Sequence, residues 1–173
     1  MRPPSMRRIL FPVAAVAAVM IYVIWWVTYA GIHYNPPYSI RLPGAAAEVQ
    51  GTTVRLVSLV RAGELRDAGG GPPELPVPGA VWVVAELETV RHDPAKQFPC
   101  GAKLLGPEGR LWNSEPFRVR RATDWCKPDN PVDQAVRFES IFLVPARYAD
   151  RLVGVALVDL GTAERTAVLT PPV

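Results

Sequence analysis

The sequence predicts an all-β sandwich carried behind a single membrane-spanning helix, and three observations predict it. Residues 9–30, "ILFPVAAVAAVMIYVIWWVTYA", contain no charge. From residue 52 onward, short runs with period-two alternation are separated by turns rich in glycine and proline, which is the pattern of half-buried strands. Both cysteines of the 173-residue chain, Cys100 and Cys126, fall in this second region.

The N-terminal run comes first. As a helix rising about 1.5 Å per residue it extends about 33 Å, enough for a hydrocarbon core about 30 Å thick. Pro12 lies in its first turn, where a missing N–H costs little. Trp25, Trp26 and Tyr29 gather at its far end, as aromatic residues do at a membrane–water interface. Arg2, Arg7 and Arg8 flank the near end, whereas residues 31–50 carry only Arg41 and Glu48. The excess of arginine places Met1 in the cytoplasm and everything after about residue 31 outside it. A cleaved signal peptide is the competing reading, but its apolar core spans only about 7–15 residues and ends in small side chains. The expected organisation is therefore a cytoplasmic tail at 1–8, an uncleaved signal anchor at 9–30, a stalk at 31–48 and an extracytoplasmic sandwich at 49–173. Pro36, Pro37, Pro43 and Gly44 interrupt the stalk. The predicted location is the cell membrane, single-pass, with the bilayer held through 9–30.

The strands follow in order. Residues 52–60, "TTVRLVSLV", are rich in β-branched side chains. In 80–90, Ala85, Leu87 and Thr89 fall on one face, Glu86 and Glu88 on the other. "LGPEGRLW", 105–112, reads as a tight turn between two short strands, with Pro107 and Gly109 in turn positions. In 136–145, Val136, Phe138, Phe142 and Val144 share one face. The other begins with Arg137 and Glu139 and turns apolar at Ile141 and Leu143. "ARYADR", 146–151, suits one helical turn. "RLVGVALVDL", 151–160, is apolar on both faces, as a central strand is, and "RTAVLT" closes the chain. The connection 62–79, with its Gly-Gly-Gly run and several prolines, is too long for a hairpin and is expected to be mobile. Runs of this length and spacing assemble as a sandwich.

Charge excludes one function class. Three of the nineteen basic side chains precede the anchor, which leaves sixteen against sixteen acidic ones. No basic stripe of the kind nucleic acid requires remains, and "RVRR" (Arg118, Arg120, Arg121) reads as a solvated edge. His92 reads as a surface residue, and no Gly-x-Ser-x-Gly elbow exists. Glu86 and Glu88 are explained by an outward strand face. Asp124, Asp129 and Asp133 are spaced for at most a weak calcium site. No C-x-x-C pair occurs, so neither a zinc nor a redox motif is present. No catalytic residue, cofactor or metal is expected. The two cysteines are expected to form a Cys100–Cys126 disulfide, because both lie in the segment facing an oxidising compartment.

"GPEGRLW" with Gly109, Arg110 and Trp112, and the later Phe138, Phe142, Val144 and Pro145, resemble motifs of small actinobacterial membrane-anchored envelope proteins of unknown function. The outer part of these proteins is similar to the immunoglobulin-like β-sandwich of secreted mycobacterial antigens and of lipoproteins carrying a domain of unknown function. The resemblance implies an immunoglobulin-like antiparallel sandwich and an envelope location, and brings no catalytic residues. The expected function is a non-enzymatic binding or scaffolding module of the bacterial envelope, with a protein partner. A domain binding lipid or cell-wall fragments between its sheets is the alternative, and an envelope hydrolase ranks last.

Overall fold

The computed structural model describes residues 6–34, 38–96, 100–115, 121, 126, 130–157 and 166–172. Within the N-terminal helix, side chains are described from 15 to 31. The chain divides into two compact units, Met1–Pro37 and Tyr38–Val173.

The first unit is helix α1, Met6–Tyr34. Its alanines and methionines favour a helix, and Thr28 turns its hydroxyl back to the Ile24 carbonyl at 2.5 Å. Val16, Ile21, Val23, Ile24 and Val27 are all exposed. Among the described residues no helix is long and apolar enough to cross a membrane; part of the uncharged run 9–30 lies outside the described side chains.

The second unit is a β-sandwich. One sheet has the order β2 (Ala47–Val49), β3 (Thr52–Ala62), β4 (Ala80–Arg91), β7 (Ala135–Pro145). The other runs β1 (Tyr38–Ile40), β9 (Thr166–Leu169), β8 (Gly154–Leu157), β5 (Ala102–Leu105), β6 (Leu111–Asn113). All neighbours are antiparallel except β1 and β9. The connections β4–β5, β6–β7 and β7–β8 each cross from one sheet to the other.

Alternation decides what fills the space between the sheets. Val54 and Leu56 of β3, Val83, Ala85 and Leu87 of β4, and Phe138, Phe142 and Val144 of β7 point inward. They meet Ala102 and Leu104, Val155 and Leu157, and Ala167 and Leu169 from the other sheet in one buried cluster. The faces expected for 80–90 and 136–145 are the observed ones. β8 is central in its sheet and buried at every position, which explains why it reads apolar on both faces. Gly154 is obligatory there, because a Cβ would overlap the Leu169 carbonyl oxygen. "ARYADR" is a 3-10 turn, Ala146–Arg151.

Two segments differ from expectation. The stretch read as a stalk contributes β1 and β2, and Ala47 and Val49 enter the core. Only short runs between the prolines were needed: β1 adds parallel to β9, and a Gln50–Gly51 turn with positive φ at both positions returns β2 onto β3. The connection 62–79 is folded down rather than loose. Leu65 and Glu74 exchange backbone hydrogen bonds of 2.8 and 2.9 Å, and the Asp67 carboxylate accepts from the Gly69 and Gly71 amides. The cause lies beneath it. The outer face of this sheet is apolar at Trp82, Val84 and Ile141, and buried Leu65 covers them.

Candidate functional site

Cys100 lies just ahead of β5 and Cys126 in the β6–β7 connection. The two are disulfide-bonded with Cα atoms 5.7 Å apart, inside the usual range. Both are half-buried against the main core. The bridge therefore ties together two connections that each pass between the sheets. The neighbours Trp125 and Pro128 lie outside the described residues.

His92, read from sequence as a surface residue, is exposed but not isolated. Its Nδ1 lies 2.9 Å from Asp133 Oδ1 and its Nε2 lies 3.0 Å from Thr53 Oγ1. A neutral imidazole protonated on Nδ1 donates to Asp133 and accepts the Thr53 hydroxyl, so both nitrogens are satisfied. A carboxylate–imidazole–hydroxyl chain is the order used in acyl transfer. Acyl transfer also needs donors for an oxyanion and a seat that excludes water. Here the His92 and Asp133 side chains are 50% and 72% exposed. The trio ties β3 to the end of β4 and to the connection entering β7. The Asp133 amide donates to the Arg91 carbonyl at 2.8 Å, and buried Asn130 donates to Thr89 Oγ1 at 3.4 Å. Sequence reading missed this trio because positions 53, 92 and 133 meet only through strand register. Asp124 and Asp129 lie outside the described residues, and among the described residues no group of three or more His, Cys, Asp and Glu could hold a metal.

Glu86 and Glu88 sit on the outer face of β4, as expected. Arg55 reaches Glu88 at 2.6 Å and Arg137 reaches it at 3.0 Å. Arg137 also lies 3.4 Å from Glu86. These are cross-strand neighbours, Arg55↔Glu88 and Glu88↔Arg137, so the charges alternate across three strands. Arg121, from the "RVRR" cluster, bonds Glu139 at 2.9 Å and the Arg66 carbonyl at 3.0 Å, which pins the 62–79 connection to the sheet. Arg118 and Arg120 lie outside the described residues.

The hydrogen bond from Arg137, with that from Arg55 and the charge of both, outweighs desolvation and holds the Glu88 carboxyl below its ordinary value of 4.5. A depressed folded-state value means the stabilisation is present above the ordinary value and is lost as pH falls through the folded one. Glu88→Gln is expected to flatten the acid limb of the stability curve, with a smaller stability loss than wild type as pH falls below about 4.5 in urea titrations. Superimposable wild-type and variant curves would overturn this.

On α1, Tyr22, Trp25, Trp26 and Tyr29 form a connected stripe along one side. Ring centroids are 5.5 Å apart for Trp25–Tyr29 and 6.4–6.5 Å for Tyr22–Trp25 and Tyr22–Trp26. The expected interface residues Trp25, Trp26 and Tyr29 are thus adjacent and exposed. Arg2, Arg7 and Arg8 fall outside the described side chains.

No family model and no curated protein matches the chain. Two solved structures are similar. A conserved hypothetical protein from Bacillus anthracis aligns at TM-score 0.52 and 13% identity, over 66% of this chain and 86% of its own. An uncharacterized beta-sandwich protein from Clostridium difficile 630 aligns at TM-score 0.49 and 10% identity, over 78% of this chain and 95% of its own. At such identity the first likeness concerns the fold alone.

Proposed function

We propose that this chain is a single-pass anchored, non-enzymatic binding module of the bacterial envelope, with an immunoglobulin-like sandwich displayed outside the cytoplasm to a protein partner. The observation that carries the reading is the Cys100–Cys126 disulfide in a domain that follows an uncharged 9–30 run. A disulfide is kept by oxidising compartments, and the arginines before the run argue for the same orientation. The apolar, exposed side chains of α1 support a lipid rather than aqueous surrounding.

Strand order supports the immunoglobulin-like reading. β3, β4 and β7 follow the order A, B, E of that fold; β9, β8, β5 and β6 follow G, F, C, C′. The disulfide joins connections rather than strands B and F, so it is a separate device. The resemblance to actinobacterial envelope proteins belongs to the same proposal. A partner surface is favoured over an inter-sheet ligand cleft because the space between the sheets is filled by Leu87, Leu104, Phe138 and Phe142. Val60, Leu75 and Val77, each more than half exposed at 51%, 67% and 58%, are the apolar contacts offered beside the β3–β4 connection.

Fractionation of cells expressing the full chain tests the anchor. The protein is expected to stay with membranes through alkaline carbonate extraction, and a C-terminal tag is expected to be digested by protease added to intact spheroplasts. Release by carbonate, or protection of the tag, would overturn the anchor or the orientation respectively. Crosslinking in intact cells then identifies the partner.

A further inference from the structure

The ring of Tyr148, on the Ala146–Arg151 turn, is surrounded by guanidinium groups. Arg147 lies 4.9 Å from its centroid, Arg110 lies 5.0 Å away and Arg151 lies 5.8 Å away. All three guanidinium carbons thus lie within 5.8 Å of the centroid of this half-buried ring. The scaffold beneath them is held firmly. Trp112 packs on Tyr148 with centroids 5.8 Å apart, and its ring lies so close to Gly106 that a Cβ there would overlap it. Asp150 is paired with Arg61 of β3, the Ala146 amide donates to the Gly79 carbonyl at 2.9 Å, and the Val153 amide donates to the Leu105 carbonyl at 2.8 Å.

The charges of the cluster are poorly compensated. Arg110 reaches Glu108 at 3.4 Å across an exposed pair. Among the described residues, Arg147 and Arg151, like Arg41 and Arg91, have no acidic partner, whereas Arg55, Arg61, Arg66, Arg121 and Arg137 each have at least one. An aromatic face attracts each cation separately but leaves their mutual repulsion in place. An anion set among them removes it.

We propose that Arg110, Arg147 and Arg151, arrayed around Tyr148, form a binding site for a phosphoryl group. A planar carboxylate matches a single guanidinium fork, edge to edge. A tetrahedral phosphate directs its oxygens several ways at once and can engage more than one guanidinium fork. The same chemistry is supplied by a soluble phosphate compound and by a phospholipid headgroup.

The test uses the full-length chain in zwitterionic micelles and reads the indole N–H resonance of Trp112, assigned by loss in Trp112→Phe. One arm titrates tripolyphosphate; the other dopes the micelles with phosphatidylglycerol. A saturable shift that weakens with salt is expected in at least one arm, and which arm responds identifies the source. Arg147→Gln together with Arg151→Gln is expected to weaken binding by about tenfold or more, while Arg41→Gln, an exposed arginine elsewhere, leaves it unchanged. Silence in both arms would overturn the site. So would equal affinities for all variants, which would mean the response tracks net charge alone.

Discussion

Phe142→Ala is expected to destabilise the folded unit by about 3–5 kcal/mol, the range for removing a fully enclosed aromatic ring. Phe142 is 0% exposed and lies mid-strand in β7, paired with Val83 of β4. Its ring belongs to the cluster in which β3, β4 and β7 meet β5, β8 and β9, so the cavity left by alanine would be walled from both sheets. Neither sheet could close it without shifting the ladder between β4 and β7, which pairs continuously from Ala80↔Pro145 to Val90↔Ala135. Domains of this size have a net stability of only about 5–15 kcal/mol, so the variant should lose a large share of it. Phe142→Leu, which keeps most of the volume, should cost markedly less. Urea unfolding followed by tryptophan fluorescence measures both. A loss below about 1 kcal/mol for the alanine variant would mean that the sheets do not close over this ring.

The same cluster explains which parts of the fold could be read from the chain. Leu87 and Glu88, or Phe138 and Glu139, declare their faces by alternation, because one face meets the hydrocarbon core and the other meets arginine partners on the outer face. β8 declared itself by having no polar face at all. The segment 31–48 misled because β1 and β2 are three residues each, too short for a period to emerge between the prolines. Those strands owe their pairing to β9 and β3 rather than to their own propensity. The 62–79 connection misled for a related reason. Its glycines and prolines describe the turns correctly, but the force that folds it down is the apolar patch of Trp82, Val84 and Ile141 on distant strands. Chemistry followed the same division. The disulfide was legible because cysteine is scarce and its pairing has one solution. The Thr53–His92–Asp133 chain was not, because it joins positions from separate elements, and neither was the approach of Arg110 to Tyr148 from the β5–β6 turn, although Arg147 and Arg151 share the turn of Tyr148 itself.

Breaking the Cys100–Cys126 bridge by substituting both cysteines with serine is expected to cost about 3–4 kcal/mol. The two residues are 26 apart in sequence, and the chain-entropy model assigns a closed loop of that size about 3.5 kcal/mol. The effect should exceed that of an ordinary surface link for a topological reason. The bridged connections are the ones by which the chain leaves β4 for β5 and leaves β6 for β7, and both cross between the sheets. Without the bridge, the unfolded chain regains freedom at two of the places where it passes from one sheet to the other. The native core, formed largely by other residues, stays packed. Unfolding of the oxidised and serine proteins should therefore give similar native fluorescence but separated midpoints. Adding reductant should move the wild-type midpoint toward that of the serine variant and leave the variant where it is. A serine variant as stable as the oxidised protein would remove the bridge from the list of what holds the domain together. It would also weaken the case for an oxidising compartment, since a thiol pair that contributes nothing to folding gives no reason to keep the domain where thiols are oxidised.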